Sequence, residues 1–230
     1  ARSRHARMRR FARRFRVLAV ALGGLMIKLG QYLSSSLDVL QPEITKELEG
    51  LQDEVPAVEF SAIRNLAEQE LGVSLERVFA SFDEQPVAAA SLGQAHRAKL
   101  SDTDADAAGF RDVVVKVQRP GIGDIVAVDL AALRRVAVWL SRVRLVNRRV
   151  DAPALIEEFA TTSLEEIDYL HEGAASERFA DLFEHDPRVR VPAVAWERTT
   201  RRVLTLEDVS AIKITDHAGM RAAGIDPADV

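Results

Sequence analysis

The chain has 230 residues, 47% of them hydrophobic and 29% charged, with a formal net charge of −4 and no cysteine. That length allows one sizeable core or two small ones, and the missing thiols exclude disulfides and thiolate metal sites. The charge is unevenly placed. Residues 1–16 hold eight arginines and no acid, and the remaining 23 basic residues face 35 acids, a formal −12.

The arginine arm on an acidic body points to a polyanion, either anionic lipid or nucleic acid, or is simply a solvated helix end. The apolar run over 17–27 is eleven residues long, against the roughly 20 that a bilayer span needs. Arginines before a short apolar run imitate a secretory signal. However, Lys28-Leu29-Gly30-Gln31 stands where a small-residue cleavage site belongs.

Phe11, Phe15, Leu18, Leu22 and Leu25 recur at three- and four-residue steps and predict a helix over 7–50. A second helix is expected over 59–71, ended by Gly72, with Pro42 and Pro56 punctuating the region. Short runs rich in Val, Phe and Ala at 78–82, 94–100 and 112–117 read as strands. The small, acidic stretch 101–109 between the last two suits an exposed hairpin loop. Helices are expected over 121–146 and 151–183. Two more strands follow at 189–197 and 202–207, joined by a polar turn at 198–201. The chain starts at Ala1 and stops inside a helix start at Asp226-Pro227, so it is expected to be a segment of a longer protein. The fold class is α+β. Three antiparallel strands, a crossing helix and two further strands make the layout of a protein-kinase N-lobe, here with a helical preface and one additional helix.

Val113-Val114-Val115-Lys116-Val117 sets one lysine in an apolar strand. Alternation puts Lys116 and Val114 on one face and Val115 and Val117 on the other. An ammonium there is costly to bury without an anionic partner. In kinase-like lobes such a lysine reaches nucleotide phosphates and pairs with a helix glutamate; the plainer alternative is an edge lysine reaching water. Before it, Ala88-Ala89-Ala90-Ser91-Leu92-Gly93-Gln94 lies where a kinase carries its glycine-rich phosphate cover. Alanine takes positive φ less freely than glycine, which leaves Gly93 as the permissive position. Carboxylates concentrate in Glu165-Glu166-Ile167-Asp168-Tyr169-Leu170-His171-Glu172, with Asp168 and Glu172 four apart on one face. Such a cluster wants a cation, Lys116 first and bound metal second, or is a solvated acidic face.

Taken together, the chain resembles the UbiB/AarF family of atypical protein-kinase-like proteins. Lys28-Leu29-Gly30-Gln31 matches its KxGQ motif, and Ala88-Ala89-Ala90-Ser91 with Leu92-Gly93-Gln94-Ala95-His96 its alanine-rich loop. Val115-Lys116-Val117-Gln118-Arg119-Pro120-Gly121 matches the lysine strand and its exit, Glu166-Ile167-Asp168 the ExD motif, and Leu51-Gln52-Asp53-Glu54-Val55-Pro56 fits as well. Two positions depart from the family pattern, Ala175 for an asparagine and Ala211 for a glycine.

The resemblance implies a helical N-terminal extension with the KxGQ motif over 1–72, a kinase-like N-lobe with a five-stranded antiparallel sheet over 73–209, and the start of a C-lobe over 210–230. It implies an ATP-binding site formed by Ala88, Ala89, Ala90, Ser91, Lys116, Glu172 and Glu207. Glu172 would be the lysine's helix partner, and 204–209 the adenine hinge. Lys28, Gly30 and Gln31 would cover the active-site mouth and meet Glu166 and Asp168, where a peptide substrate sits in ordinary kinases. The catalytic aspartate and the ligands of Mg²⁺ would lie in the C-lobe, so this segment carries no catalytic or metal residue of its own. His185-Asp186-Pro187 imitates a catalytic-loop fragment in the wrong lobe.

The implied intact protein is an ATP-dependent atypical kinase or ATPase using ATP or ADP with Mg²⁺, linked to isoprenoid-quinone or membrane-lipid metabolism. The alternative is a nucleotide-gated lipid-binding module or pseudokinase. Nucleotide, an anionic membrane surface or isoprenoid lipid, and a second copy of the chain are the implied partners. Its implied location is the cytoplasm, peripheral on the inner face of the membrane. Nucleic acid is disfavoured, since two tryptophans and two tyrosines make no aromatic-basic platform.

Overall fold

A computed structural model describes residues 56–142, 151–209, 211–212, 214–226 and 228, together with Leu25, Leu29 and Tyr32. The elements run α1 (Phe60–Leu71), α2 (Leu75–Val78), β1 (Phe79–Phe82), β2 (Ala88–Ala89), β3 (Gly93–Leu100), α3 (Asp102–Ala108) and β4 (Asp112–Gln118). They continue with α4 (Ile122–Ser141), α5 (Ala152–Glu166), α6 (Tyr169–Leu182), a 3-10 turn (Trp196–Arg198), β5 (Val203–Glu207) and α7 (His217–Ala222).

All five strands join one antiparallel sheet in the order β1-β3-β4-β5, with β2 beside β3. β1 pairs along the C-terminal half of β3 and β2 along its N-terminal end, so both occupy the same edge. The longest pairing sets Gly93 opposite Gln118 and Lys99 opposite Asp112.

β4 explains the layering. Val113, Val115 and Val117 are fully buried, whereas Val114 and Lys116 are only half-buried. The valine face packs with Ile63, Leu66 and Ala67 of α1 and with Leu75, Val78 and Phe79. α1 presents those three residues at three- and four-residue steps. It ends at Gly72, whose φ of 73° closes the helix with an N–H donated to Glu68 O. A second core joins α4 and α5 through Ile122, Val126, Leu130, Ile156, Phe159 and Ala160, and it includes Leu92, Leu25 and Leu29.

Several expectations change. Residues 101–109 are not a hairpin loop, because 102–108 form α3. Ser101 caps it by accepting from Asp104 N, acids occupy its first turn, and Gly109 ends it at φ 81°. The expected helix over 151–183 is two helices, since Asp168 accepts from Leu170 N and starts α6 afresh. The 189–197 run pairs with β5 only through the Val194–Leu206 bridge. It then turns into the 3-10 segment, and the fifth strand is instead the two-residue β2. Most of the helix expected over 7–50 lies outside the described residues, as do Lys28, Gly30 and Gln31; Leu25, Leu29 and Tyr32 are helical.

Candidate functional site

Lys116 stands between Ala95 of β3 and Leu204 of β5, on the sheet face opposite α1. Its Nζ donates to both carboxylate oxygens of Glu172, at 2.8 and 2.6 Å. The two side chains keep 36% and 40% of their surface exposed, so the pair adds little to stability, on the order of 1 kcal/mol or less. An ammonium fixed on one flank and open on the other can receive a phosphate oxygen. Of the acidic cluster, Glu172 is the member that meets Lys116.

Tyr169 lies one turn before Glu172 on the same helix and supports the pair. Its ring centroid is 4.8 Å from Lys116 Nζ, close enough for a cation–π contact. The residue is 1% exposed, and burial, then the nearby Glu172 charge, pushes its phenol well above the ordinary value. Among the described residues its hydroxyl has no hydrogen-bond partner.

The break between α5 and α6 positions both residues. Gln118, the last residue of β4, donates to Ile167 O and, at 3.1 Å, to Arg201 O. Tyr169 N donates to the same Arg201 O at 3.1 Å. Asp168 is therefore a helix cap, with Arg201 Nε 3.9 Å from its carboxylate. Glu166 is the exposed last residue of α5.

The alanine-rich segment is fixed rather than loose. Ala88 and Ala89 form β2, and Ala90 N donates to Gly93 O at 2.8 Å. Half-buried Ser91 lies inside that turn. Arg119 N donates to Leu92 O at 2.9 Å, and Arg119 Nε to Ala90 O at 2.8 Å. The same guanidinium reaches Pro56 O at 2.7 Å. Gly93 is not among the glycines with positive φ, so its expected freedom at φ is not used. It is small because a Cβ there would collide with Tyr169 Oη and approach Val117 O to 2.7 Å.

Glu207, expected in the hinge, ends β5. Its carboxylate accepts from Arg190, and its N–H donates to Ala193 O at 2.8 Å. Asp208 N is likewise committed, to Asp112 O at 2.9 Å.

Lys28, Gly30 and Gln31 cannot be placed against Glu166 and Asp168, because they lie outside the described residues. Their neighbours Leu25, Leu29 and Tyr32 pack in one cluster with Leu92, beside Gly93, and with Ile167, between Glu166 and Asp168. Tyr32 and Phe159 meet at 5.3 Å between ring centroids. Sequence reasoning missed Gln118, Arg119 and Tyr169 as site residues. For Tyr169 a signal existed, namely its three-residue spacing from Glu172. Among the described residues no group of three or more His, Asp or Glu side chains is placed to hold a metal ion.

Comparisons with known proteins bear on this geometry. The chain is 41% identical over 207 residues to the Arabidopsis thaliana protein named ACTIVITY OF BC1 COMPLEX KINASE 8, chloroplastic, covering 89% of this chain and 26% of that one. It is 37% identical over 205 residues to the probable protein kinase UbiB of Cellvibrio japonicus, covering 89% of this chain and 36% of the relative. It is also similar to Mycobacterium tuberculosis Rv3197, solved in complex with erythromycin. That likeness has a TM-score of 0.58 and 28% identity, over 88% of this chain and 49% of the other. The chain thus spans well under half the length of both curated relatives. Residues 50–230 match the family described as the ABC1 atypical kinase-like domain. A kinase-like N-lobe whose strand lysine is held by a helix glutamate beneath an alanine-rich turn, with that match over most of its length, belongs to the ABC1 atypical kinase-like family.

Proposed function

We propose that the intact protein binds ATP or ADP with its phosphates at Lys116 and acts as an ATP-dependent atypical kinase or ATPase. The observation that carries this reading is the Lys116–Glu172 pair, 2.6 Å long on an open face of the sheet. It gives an otherwise costly lysine a reason to stand among valines. Glu207 N and Asp208 N are already bonded, so the adenine edge would meet the chain from Val209 onward. Mg²⁺ would be held by groups outside the described residues, and would neutralise charge developing on the transferred phosphate. The quinone or membrane-lipid link rests on family resemblance. Calorimetric titration of MgATP and MgADP into the full-length protein, wild type against Lys116→Ala, tests the reading. Binding by wild type and loss in the variant are expected; equal binding, or none by either, overturns it.

A second reading, a nucleotide-gated lipid-binding module at a membrane surface, is favoured by α4. Opposite its buried residues the helix exposes Ile125, Val128, Ala132, Val136 and Trp139 at three- to four-residue steps, with Val128 68% and Trp139 62% exposed. Arg135 on the same helix and Arg142 at its end suit an anionic surface, while Arg134 is held by Glu157. No helix among the described residues is long and apolar enough to cross a membrane. The erythromycin held by the solved relative adds support for a bound organic ligand. ATP hydrolysis stimulated by anionic vesicles, with no phosphorylated protein formed, is the result expected of this reading.

A further inference from the structure

We propose that Tyr169 is a positioning residue of the nucleotide site, whose ring aims Lys116 and whose hydroxyl sets the height of the alanine-rich turn. This rests on the nucleotide reading above. A hydroxyl this buried and without a partner among the described residues is a poor choice for packing alone, where phenylalanine or leucine would avoid the desolvation. Two contacts explain its presence. The ring face lies 4.8 Å from Lys116 Nζ, beside the carboxylate of Glu172. The other groups next to Lys116 in the sheet register, Ala95 and Leu204, are neutral, so Glu172 and the ring together decide where the ammonium sits.

At the far end of the ring, the hydroxyl occupies the space that any side chain at Gly93 would need. Gly93 closes the turn by accepting from Ala90 N, and Arg119 pins the same turn at Ala90 O and Leu92 O. One side chain therefore touches both parts that must converge on a phosphate, the lysine and the cover. Shifting it displaces the two together.

The test uses full-length Tyr169→Met, which fills the space without a π face, and Tyr169→Phe, which keeps the ring. In nucleotide-free protein, the rate of amine labelling at Lys116 is followed by peptide mass spectrometry; calorimetry then gives the affinity for MgATP. Without the ring face the ammonium is held by Glu172 alone. Tyr169→Met is therefore expected to label faster at Lys116 and to bind nucleotide about two- to fivefold more weakly, while Tyr169→Phe labels as wild type does. For the hydroxyl, Tyr169→Phe is expected to loosen the alanine-rich turn, with faster amide hydrogen exchange over 88–92. Unchanged labelling and affinity in Tyr169→Met overturns the aiming role. Amide exchange over 88–92 unchanged in Tyr169→Phe overturns the gauging role, and that variant decides the matter if Tyr169→Met does not fold. If wild type binds no nucleotide, the function proposed above fails, while the labelling comparison still reports on Tyr169 and Lys116.

Discussion

Arg119 joins Pro56 to Ala90: one guanidinium donates to both carbonyls, at 2.7 and 2.8 Å. Burial holds its pKa below the ordinary arginine value without threatening its charge. The planar fork that reaches two carbonyls in different directions has no counterpart in a lysine ammonium. Arg119→Lys should free the alanine-rich turn, with faster amide hydrogen exchange over 88–92 and a stability loss of about 1–2 kcal/mol for the charged hydrogen bonds removed. Exchange unchanged in that segment would show that β2 pairing alone holds it.

Glu172→Gln separates chemistry from stability. Both partners of the Lys116 pair are more than a third exposed, so the stability read from urea unfolding should change little, by about 0–1 kcal/mol. Nucleotide affinity should fall about tenfold or more, as the ammonium loses its fixed direction. A large loss of stability with affinity intact would make the pair structural.

Asp104, buried in α3, accepts from Arg198 Nε at 2.9 Å and Nη2 at 2.8 Å, closing the 3-10 turn onto the helix. The Arg198 hydrogen bonds hold this carboxyl below the usual aspartate value. Its folded pKa is depressed, so its contribution is present above the unfolded value of 3.8 and is lost as pH falls through the folded one. Asp104→Asn should cost about 3 kcal/mol at neutral pH, since it leaves Arg198 without its anion. It should also flatten the stability decline below pH ~4, measured by urea unfolding between pH 3 and 7.

His96 gives an acid response in a different window. Its Nδ1–H donates to Asp83 O at 2.8 Å, and its Nε2 accepts from Gln94 Nε2 at 3.0 Å. Gln94 also clasps both backbone groups of Val58. Burial lowers the pKa of His96. The unfolded chain binds that proton more readily, so stability should fall as pH drops below 6.5, by up to about 1.4 kcal/mol per unit. His96→Gln should remove the slope between pH 7.5 and 5.5, where Asp104 stays ionised.

Legibility followed the range of the interactions. The alternation of β4 announces which face carries Lys116, and Gly72 marks the end of α1, because strand pleat and left-handed caps are local physics. α3 was also local, a Ser cap followed by acids and alanines, but its acidity reads equally as loop. The break before α6 was half legible: Asp168 is a local cap residue, but the carbonyl at Ile167 is satisfied by Gln118, 49 positions away. For the same reason Tyr169 could be seen one turn from Glu172 but not beneath Lys116. The 189–197 run has strand composition, yet it pairs only at Val194 before the chain winds into the 3-10 turn.

The interruption at Ile167 and Asp168 divides the labour of two helices. α5 is seated in the cluster that also takes Leu25, Leu29 and Tyr32, whereas α6 starts on the carbonyl of Arg201 and carries Glu172 to the sheet. Ser176 Oγ donates to Pro192 O and Trp196 Nε1 to Glu177, so α6 is fastened to the segment that leads into β5. The direction of the Glu172 carboxylate is thereby set from the sheet side, not by the second core that holds Phe159.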